Sequence, residues 1–240
     1  VAPGTFVRLT PDREQTVTRF APAREKRCAF EPVYFSDHTG DAFGIPLLRF
    51  RLAIGEALEE ECPADADIVL GMPNSATVIG IGYGRSCRSG IFLPALERQR
   101  DVGRTFILPT QDKRVVAVRR KFRHARSTLK GTRVALVDDS IVRGTTMQSE
   151  VQRIRDAGAR EVHVRIAFPR NRHPCLYGID TPDDRELIAA NMTVEEIREF
   201  IGADSLGFLS ERTYLRLLGG NPRSWCTACI TGEYWHDTAA

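Results

Sequence analysis

The sequence predicts an α/β fold in which a mostly parallel sheet is flanked by helices. Two observations carry this prediction. Residues 133–168 hold a strand pattern, a polar loop, a helix pattern and a second strand pattern in direct succession, and a β-α-β unit of this kind joins parallel strands. Residues 67–72 (DIVLGM) form a further apolar run, stopped by Pro73, with the length and composition of a buried strand.

Helical spacing of apolar residues predicts four helices, at residues 45–61, 145–157, 193–201 and 210–218. Gly158 is a suitable stop for the second of them. The third opens with Thr193 and has Glu196 three positions later, which is the pattern of a capping box. The strand after Gly158 is predicted at residues 162–168. No internal repeat or low-complexity linker interrupts these elements, so one domain is expected.

Two segments are less regular. Prolines and glycines punctuate residues 1–27, which we interpret as irregular. Three glycines alternate within residues 80–84, but the second spacing of a dinucleotide-binding loop is missing. Helix packing or a tight turn is the better interpretation of these glycines.

The composition is that of a soluble globular protein, with 42% apolar and 27% charged residues. No apolar run approaches the roughly 20 residues of a membrane span, and residues 1–8 lack the pattern of a secretory signal. We therefore expect a cytoplasmic enzyme with no membrane partner. Residues 114–130 are rich in Arg and Lys, but Phe122 is their only aromatic residue. This favours a solvated face or a phosphorylated ligand over nucleic acid.

Six cysteines stand at positions 28, 62, 87, 175, 226 and 229. A set of three disulfides is typical of small secreted proteins, and this chain of 240 residues does not have that character. Cys226 and Cys229 form a C-x-x-C pair near the C-terminus. On its own, this pair fits a redox couple, half of a zinc site or part of an iron–sulfur site.

The stretch most informative about function is residues 134–146 (VALVDDSIVRGTT). It places two adjacent carboxylates, Asp138 and Asp139, directly after a strand, where ligands bind in open parallel sheets. The start of the following helix offers N–H groups and a positive dipole end to a phosphate. Because the carboxylates repel phosphate, vicinal sugar hydroxyls and Mg²⁺ are their natural partners. Two acids alone would more often be a solvated capping turn, but the whole string favours a phosphorylated sugar.

This string resembles the phosphoribosylpyrophosphate (PRPP) loop of the type I phosphoribosyltransferases. Within that superfamily, the chain is most similar to the glutamine PRPP amidotransferases from about residue 20 to residue 234. Further resemblances are found in CAFEPVYF (28–35), VGRTFILP (102–109), YGID (177–180), ELIAA (186–190), residues 193–209 and CTACITGEY (226–234). The resemblance implies the type I phosphoribosyltransferase fold.

It also implies a reaction in which ammonia displaces pyrophosphate from carbon 1 of PRPP to give phosphoribosylamine. By this resemblance Asp138 and Asp139 hold the ribose hydroxyls and Mg²⁺, and the residues that follow hold the 5-phosphate. Ser75 would contact the metal and the pyrophosphate, and Arg100 and Arg104 would close over the diphosphate as catalytic residues. The full implied substrate site is Asn74, Ser75, Ala76, Asp138, Asp139, Ser140, Ile141, Val142, Arg143, Gly144, Thr145 and Thr146.

Some members of this family carry a four-iron cluster on four cysteines. Cys28, Cys175, Cys226 and Cys229 fall at the matching positions, so the resemblance implies a structural [4Fe–4S] cluster. Zinc or reduced thiols remain open. Cys62 and Cys87 are expected to be ordinary buried thiols.

The family's glutaminase domain has no counterpart in the sequence. We expect residues 1–27 to be a remnant of the linker from that domain, and residues 28–240 to be the phosphoribosyltransferase-like domain. The chain should then use ammonia, free or supplied by a separate glutaminase, and should not hydrolyse glutamine. A homo-oligomer is expected.

Two motifs depart from the family. Its Pro-Asp-Ser-Gly turn reads PNSA at residues 73–76, and its Lys-Asn-Arg-Tyr reads RQRD at residues 98–101. These changes raise the alternative that the same amination acts on a nucleotide-activated sugar in a specialised purine-like or nucleoside pathway. A second alternative is a non-catalytic sensor of PRPP or nucleotides, although the sequence shows no helix-turn-helix.

Overall fold

A computed structural model describes residues 4–20, 26–98, 122–181 and 183–235. Its strands are β1 (Thr5–Leu9), β2 (Glu14–Arg19), β3 (Arg27–Cys28), β4 (Asp41–Ala42), β5 (Ile45–Pro46), β6 (Ile68–Gly71), β7 (Ile91–Phe92), β8 (Leu96–Arg98), β9 (Phe122–His124), β10 (Arg133–Asp138), β11 (Glu161–Ile166), β12 (Ser205–Phe208) and β13 (Trp225–Cys226). Its helices are α1 (Leu47–Glu61), α2 (Thr77–Ser86), α3 (Arg126–Leu129), α4 (Thr145–Asp156), α5 (Ile188–Asn191), α6 (Val194–Ile201), α7 (Glu211–Leu218) and α8 (Ala228–Thr231).

The centre of the fold is a five-stranded sheet in the order β7-β6-β10-β11-β12, and every neighbouring pair in it is parallel. The chain moves from β6 through α2 to one side, and from β10 through α4 to the other side. Right-handed crossovers in opposite directions place these two helices on opposite faces of the sheet. The prediction of a mostly parallel sheet flanked by helices is confirmed.

The core lies on both faces of this sheet. All four residues of β6 are buried, and Val134, Ala135, Leu136 and Val137 of β10 are fully buried. A strand covered on both faces needs apolar residues at successive positions rather than at alternate ones. This explains why both strands are continuous apolar runs in the sequence.

Helices α1 and α2 pack backbone against backbone. A Cβ added to Gly55 of α1 would lie 2.0 Å from the Ile79 carbonyl oxygen, and one added to Gly82 of α2 would lie 2.1 Å from the Leu52 carbonyl oxygen. Such approaches are open only to glycine. The glycines of residues 80–84 lie within α2: Gly82 faces α1, whereas Gly80 meets Gly71 of β6 and Gly84 meets Phe92 of β7, so they serve helix packing rather than a tight turn.

The helix ends follow the sequence signals. The Thr193 hydroxyl accepts from the Glu196 N–H while the Glu196 carboxylate accepts from the Thr193 N–H, which confirms the capping box. Ser210 caps α7 by accepting from the Thr213 N–H. The capping residues lie just outside the helices, which is why both helices begin one residue later than predicted.

Two expectations were wrong or incomplete. Residues 1–27 are not wholly irregular, because β1 and β2 form an antiparallel hairpin closed by hydrogen bonds between Thr10 and Arg13. Strand β12 was not predicted. In the described ranges, no helix is both long enough and apolar enough to cross a membrane.

Candidate active site at the switch point of the sheet

The candidate site lies where the order of the central sheet reverses. Strands β6 and β10 are neighbours, but their crossovers leave in opposite directions, so the loops after them diverge and leave a crevice. In open α/β sheets, ligands bind in the crevice beyond the carboxyl ends of the strands at such a switch point. The turn of residues 73–76 follows β6, and residues 139–144 follow β10.

The turn after β6 is held tightly against the sheet. The Met72 N–H donates to the Val137 carbonyl at 2.9 Å, and the Ala76 N–H donates to the Met72 carbonyl at 3.0 Å. A Cβ on Gly71 would lie 2.5 Å from the Ala76 carbonyl oxygen, so the turn folds directly over the end of the strand. Asn74 is exposed at the tip of this turn, and the Pro73–Asn74 peptide bond is cis.

The two carboxylates after β10 occupy different environments. Asp138 is half-buried, and its Oδ1 accepts from the Asp139 N–H at 2.8 Å. Asp139 is only 4% exposed, and its Oδ1 accepts from the Ser140 hydroxyl at 2.7 Å. Burial raises the pKa of Asp139, and hydrogen bonds from the Ser75 and Ser140 hydroxyls together with the Arg51 charge offset part of that effect. The Ser75 contact joins the two loops across the crevice.

The start of α4 is arranged for an anion. Gly144 is its N-cap in the left-handed conformation (φ 76°, ψ −18°), and among the described residues no side-chain hydrogen bond caps the helix. The first N–H groups of a helix have no partner within it, so those of α4 face the cavity together with the exposed side chains of Thr145 and Thr146. Backbone N–H groups, two hydroxyls and the helix dipole make this tip a phosphate-binding arrangement.

The back of this loop is braced by the segment before α5. The Ile188 N–H donates to the Val142 carbonyl at 2.9 Å, and the Arg143 Nε donates to the Glu186 carboxylate at 2.5 Å. These contacts hold the outer side of the loop, so its inner side is presented to the crevice.

The crevice is a cavity of about 1180 Å³, somewhat above the usual range for small-molecule sites. Of the twelve predicted substrate-binding residues, eleven line it. The exception is Ala76, whose side chain is fully buried and does not reach the cavity wall. Phe30, Tyr34 and Phe35 supply an apolar wall.

The two predicted catalytic arginines, Arg100 and Arg104, lie outside the described residues. The strands that flank residues 99–121 pair with each other, Leu96 of β8 opposite His124 of β9. His124 also bonds to the buried Glu150 on α4, which connects these strands to the helix that follows the predicted phosphate-binding loop.

Sequence reasoning missed Arg51, a buried residue of α1 that lines the cavity. A signal was present, because Leu47, Phe50, Ile54 and Leu58 mark the buried face of α1 and Arg51 falls on that face. A charged residue at a core position of an amphipathic helix is uncommon and needs a buried partner.

The structure brings the four predicted cluster cysteines together. Cys28, Cys175, Cys226 and Cys229 all line one cavity of about 180 Å³. Cys28 and Cys226 lie opposite each other in the neighbouring parallel strands β3 and β13. The cysteines are free thiols. Burial raises the pKa of Cys229 to about 12, and the other three cysteines add to that rise. Phe30, Ile179 and Thr181 line both this cavity and the larger one.

Cys62 and Cys87 are the two cysteines that do not line this cavity. Among the described residues, no group of three or more His, Cys, Asp or Glu side chains is close enough to hold a metal ion. Cys62 and Cys87 are half-buried rather than fully buried, and both pack against the core.

The chain is similar to proteins named amidophosphoribosyltransferase. No protein-family model matches it. It is 45% identical over 235 residues to the amidophosphoribosyltransferase of Methanothermobacter thermautotrophicus, covering 98% of this chain and 49% of that protein. It is 46% identical over 208 residues to the amidophosphoribosyltransferase of Methanocaldococcus jannaschii, covering 86% of this chain and 43% of that protein.

Two solved structures show the same similarity as the sequence relatives. The glutamine PRPP amidotransferase of B. subtilis, solved in complex with ADP and GMP, matches with a TM-score of 0.83 at 40% identity, over 98% of this chain and 52% of that one. A structure described as the allosteric regulatory enzyme of purine biosynthesis matches with the same TM-score and identity, over 51% of its chain. The chain therefore spans about half the length of the relatives that it matches. The predicted resemblance is confirmed: over nearly all of its length, the chain is homologous to the amidophosphoribosyltransferase family.

Proposed function

We propose that the chain transfers the phosphoribosyl group of PRPP to ammonia, giving 5-phosphoribosylamine and pyrophosphate. The observation that carries this proposal is the composition of the switch-point cavity. The acidic pair Asp138 and Asp139, the uncapped tip of α4 and the Ser75 turn all line that one cavity. Homology to amidophosphoribosyltransferases supports the same reaction. It does not support the two alternatives, a nucleotide-activated sugar donor and a non-catalytic sensor.

Each part of the cavity suits one part of PRPP. The loop before α4 and the first residues of that helix, from Ser140 to Thr146, take the 5-phosphate through N–H groups and hydroxyls. The half-buried Asp138, with Asp139 beside it, accepts hydrogen bonds from the ribose diol. Ser75, across the crevice, is then at the diphosphate end. This assignment places carbon 1 between the two loops.

The chemistry requires one bond exchange. The nitrogen lone pair of ammonia forms the bond to carbon 1 while the bond from carbon 1 to the diphosphate oxygen breaks, and pyrophosphate leaves with that electron pair. The new ammonium loses a proton to solvent. The chain's contribution is to fix the sugar at both ends and to keep water from carbon 1 with the apolar wall of Phe30, Tyr34 and Phe35.

The residues present fit Mg²⁺. Ser75, Asp138 and Asp139 offer oxygen ligands only, which hard cations prefer, and Mg²⁺ commonly uses one or two carboxylates together with substrate phosphates rather than a closed protein cage. When bound with the donor, the ion supplies positive charge against the diphosphate. The buried Asp139, held by the Ser75 and Ser140 hydroxyls, keeps its carboxylate oriented towards that end.

The domain assignment is part of the proposal. We assign residues 28–240 to a phosphoribosyltransferase domain, because the whole central sheet lies between Ile68 and Phe208. The β1–β2 hairpin forms a separate two-stranded sheet. Ammonia, rather than glutamine, is the proposed nitrogen donor for this chain.

The test is a turnover assay on the anaerobically purified chain with Mg²⁺ and PRPP, following pyrophosphate release. Ammonium should support release and glutamine should not. Purine nucleotides, which the B. subtilis enzyme binds in its solved structure, and nucleotide-sugars complete the panel. Joint replacement of Asp138 and Asp139 by Asn should abolish release, whereas Asp156→Asn, on the exposed end of α4, should not. Release unaffected by the double replacement would overturn the proposal.

We also propose that Cys28, Cys175, Cys226 and Cys229 hold a [4Fe–4S] cluster. The support is their shared cavity and their state as free thiols, since four cysteine thiolates are the usual ligands of such a cluster. Burial disfavours the thiolate form of Cys229, and bound iron would supply the positive charge that stabilises it. Anaerobic protein should contain about four irons per chain. Cys229→Ser should lose most of this iron and Cys62→Ser should keep it, whereas iron-free wild-type protein would reject the cluster.

A further inference from the structure

Arg51 combines a charge with near-complete burial. It is 2% exposed and lies in the second turn of α1, among the apolar residues of that helix face. A buried charge is tolerated only when hydrogen bonds and an opposite charge satisfy it. The hydrogen-bond and charge partners of Arg51 therefore indicate its role.

Three hydrogen bonds of Arg51 go to backbone carbonyls near the cavity. Its Nε donates to Pro32 at 3.0 Å, its Nη2 to Ser36 at 2.6 Å, and its Nη1 to Ser75 at 3.3 Å. Pro32 and Ser36 bracket the segment that carries Tyr34 and Phe35. Ser75 belongs to the turn after β6. One guanidinium thus fixes the distance between the apolar wall and the Ser75 turn.

The charge of Arg51 faces the buried carboxylate of the site. Asp139 is the main group whose charge favours the ionised form of Arg51, and Asp139 in turn accepts from the Ser75 hydroxyl. Ser75 is therefore held twice, through its side chain by Asp139 and through its main chain by Arg51. Among the described residues, none of these three hydrogen bonds of Arg51 reaches the tip of α4.

We propose that Arg51 is a positioning residue for the diphosphate end of the donor, which acts by holding the Ser75 turn and the Pro32–Ser36 segment at a fixed separation. This inference rests on the proposed function. It predicts a selective effect: loss of Arg51 weakens ligands that carry the diphosphate and spares ligands that carry only the ribose and its 5-phosphate. A general structural role would weaken both.

Lysine is the informative replacement. It keeps the positive charge beside Asp139, but its ammonium is a compact point that cannot reproduce a planar fork with donors directed at three separate carbonyls. Arg51→Lys therefore removes the positioning while leaving the charge in place. Arg51→Gln, which removes the charge as well, is the second variant.

The chain offers a matched control in Arg165. This residue of β11 is also buried, at 5% exposure, and donates to the carbonyls of Cys62, Pro63 and Val164. It does not line the cavity. Arg165→Lys should therefore cost stability in the same way as Arg51→Lys, without a selective effect on ligands.

The experiment is calorimetric titration of the wild-type chain and of each variant with PRPP and with ribose 5-phosphate, both in Mg²⁺, alongside thermal unfolding. For Arg51→Lys, the Kd for PRPP should rise roughly tenfold or more, since a hydrogen bond to a charged group such as the diphosphate is worth about that factor. Its Kd for ribose 5-phosphate should stay within about twofold, as should both constants of Arg165→Lys.

Each other result has a defined meaning. Equal weakening of both ligands, unchanged PRPP binding, or the same selectivity in Arg165→Lys would overturn the positioning role. Failure of both Arg51 variants to fold would also overturn it, because Arg51 would then be a structural residue. Wild-type protein that does not bind PRPP would instead refute the proposed function itself.

Discussion

Gly144 and Ile188 are in such close contact that a Cβ added to Gly144 would lie 2.7 Å from the Ile188 Cδ1 atom. Gly144 also adopts a φ of 76°, in the left-handed region that other residues enter at a cost. The N-cap of the proposed phosphate-binding helix is therefore restricted twice, by its own backbone and by the segment behind it.

Gly144→Ala should lower stability by about 1–2 kcal/mol from the left-handed backbone, and the contact should add a smaller cost because the Ile188 Cδ1 is the end of a side chain that can partly move aside. It should also weaken PRPP and ribose 5-phosphate alike, because both ligands place a phosphate at this tip. Gly202 is the matched control, since it has a φ of 72° with nothing within 4 Å of an added Cβ. In denaturant unfolding, Gly202→Ala should lose only the stability that the left-handed backbone costs. In titration, it should bind both ligands normally. Equal behaviour of the two variants would contradict the contact argument.

Gly82→Ala should destabilise the fold by separating α1 from α2. The added Cβ would meet the Leu52 carbonyl oxygen at 2.1 Å and the Leu52 carbonyl carbon at 2.9 Å, and backbone atoms cannot move aside as a flexible side chain can. Overpacking of this kind typically costs about 1–3 kcal/mol. Urea unfolding measures the loss, with Gly178→Ala, which has nothing within 4 Å, as the neutral control. A Gly82→Ala protein as stable as that control would show that the helices are not in backbone contact.

The sequence predicts those parts of the fold whose signals are local. The strand ending before Pro73 and the loop from Asp138 to Gly144 were found because apolar runs and turn residues mark them directly. Strand β12 was missed because it is only four residues long and contains Gly207. It becomes a strand through pairing with β11, and Gly207 is required there because a Cβ would lie 2.7 Å from the Cys62 Cβ. The strand pairing and the close approach of Cys62 are both tertiary contacts, which a local sequence pattern does not show.

The residues of the candidate site also divide into those that local sequence patterns mark and those that they do not. The eleven residues that line the cavity lie in two contiguous motifs, and as a set they were predicted through the family resemblance. Arg51 was not: its place on the buried face of α1 signals burial, but its partners are carbonyls 15 to 24 residues away along the chain, which no local pattern records. The four cysteines are also distant in sequence, and their shared cavity was predicted only through the family resemblance. The roles of the individual site residues stay predictions.

Asp67 should stabilise the protein at neutral pH and lose that effect in acid. Hydrogen bonds from the Arg133 side chain and backbone lower the pKa of Asp67 to about 2. A carboxyl whose pKa is lowered on folding adds stability above its unfolded pKa of about 3.9, and this stability is lost as pH falls towards the folded value. Because Asp67 is 41% exposed, the effect should be modest.

Thermal unfolding of wild-type and Asp67→Asn protein tests this. The difference between their melting temperatures should be largest at neutral pH and should shrink between about pH 4 and pH 2. Asp65 also pairs with Arg133 but is 75% exposed, so Asp65→Asn should change stability less. A difference that stayed constant down to the lowest pH would show that Asp67 acts through packing rather than through its charge.

Asp139 should behave in the opposite sense, because burial raises its pKa. A carboxyl whose pKa is raised on folding favours the folded state fully below its unfolded pKa of about 3.9, and this contribution is lost as pH rises through the folded value. Ionised Asp139 therefore lowers stability at neutral pH, even after the favourable contacts with Ser75, Ser140 and Arg51. Such a cost is expected of a group retained for binding rather than for folding.

Asp139→Asn keeps the shape of the side chain and removes the ionisation. In the absence of Mg²⁺ and donor, its melting temperature at pH 7 should exceed that of wild type, and the gap should narrow as pH falls towards about 4. The variant should at the same time lose PRPP binding in the presence of Mg²⁺. Asp138→Asn, at a half-buried position, should also lose binding but gain less stability. An Asp139→Asn protein less stable than wild type at pH 7 would mean that attraction to Arg51 outweighs the burial of the charge, and that the two residues form a structural ion pair.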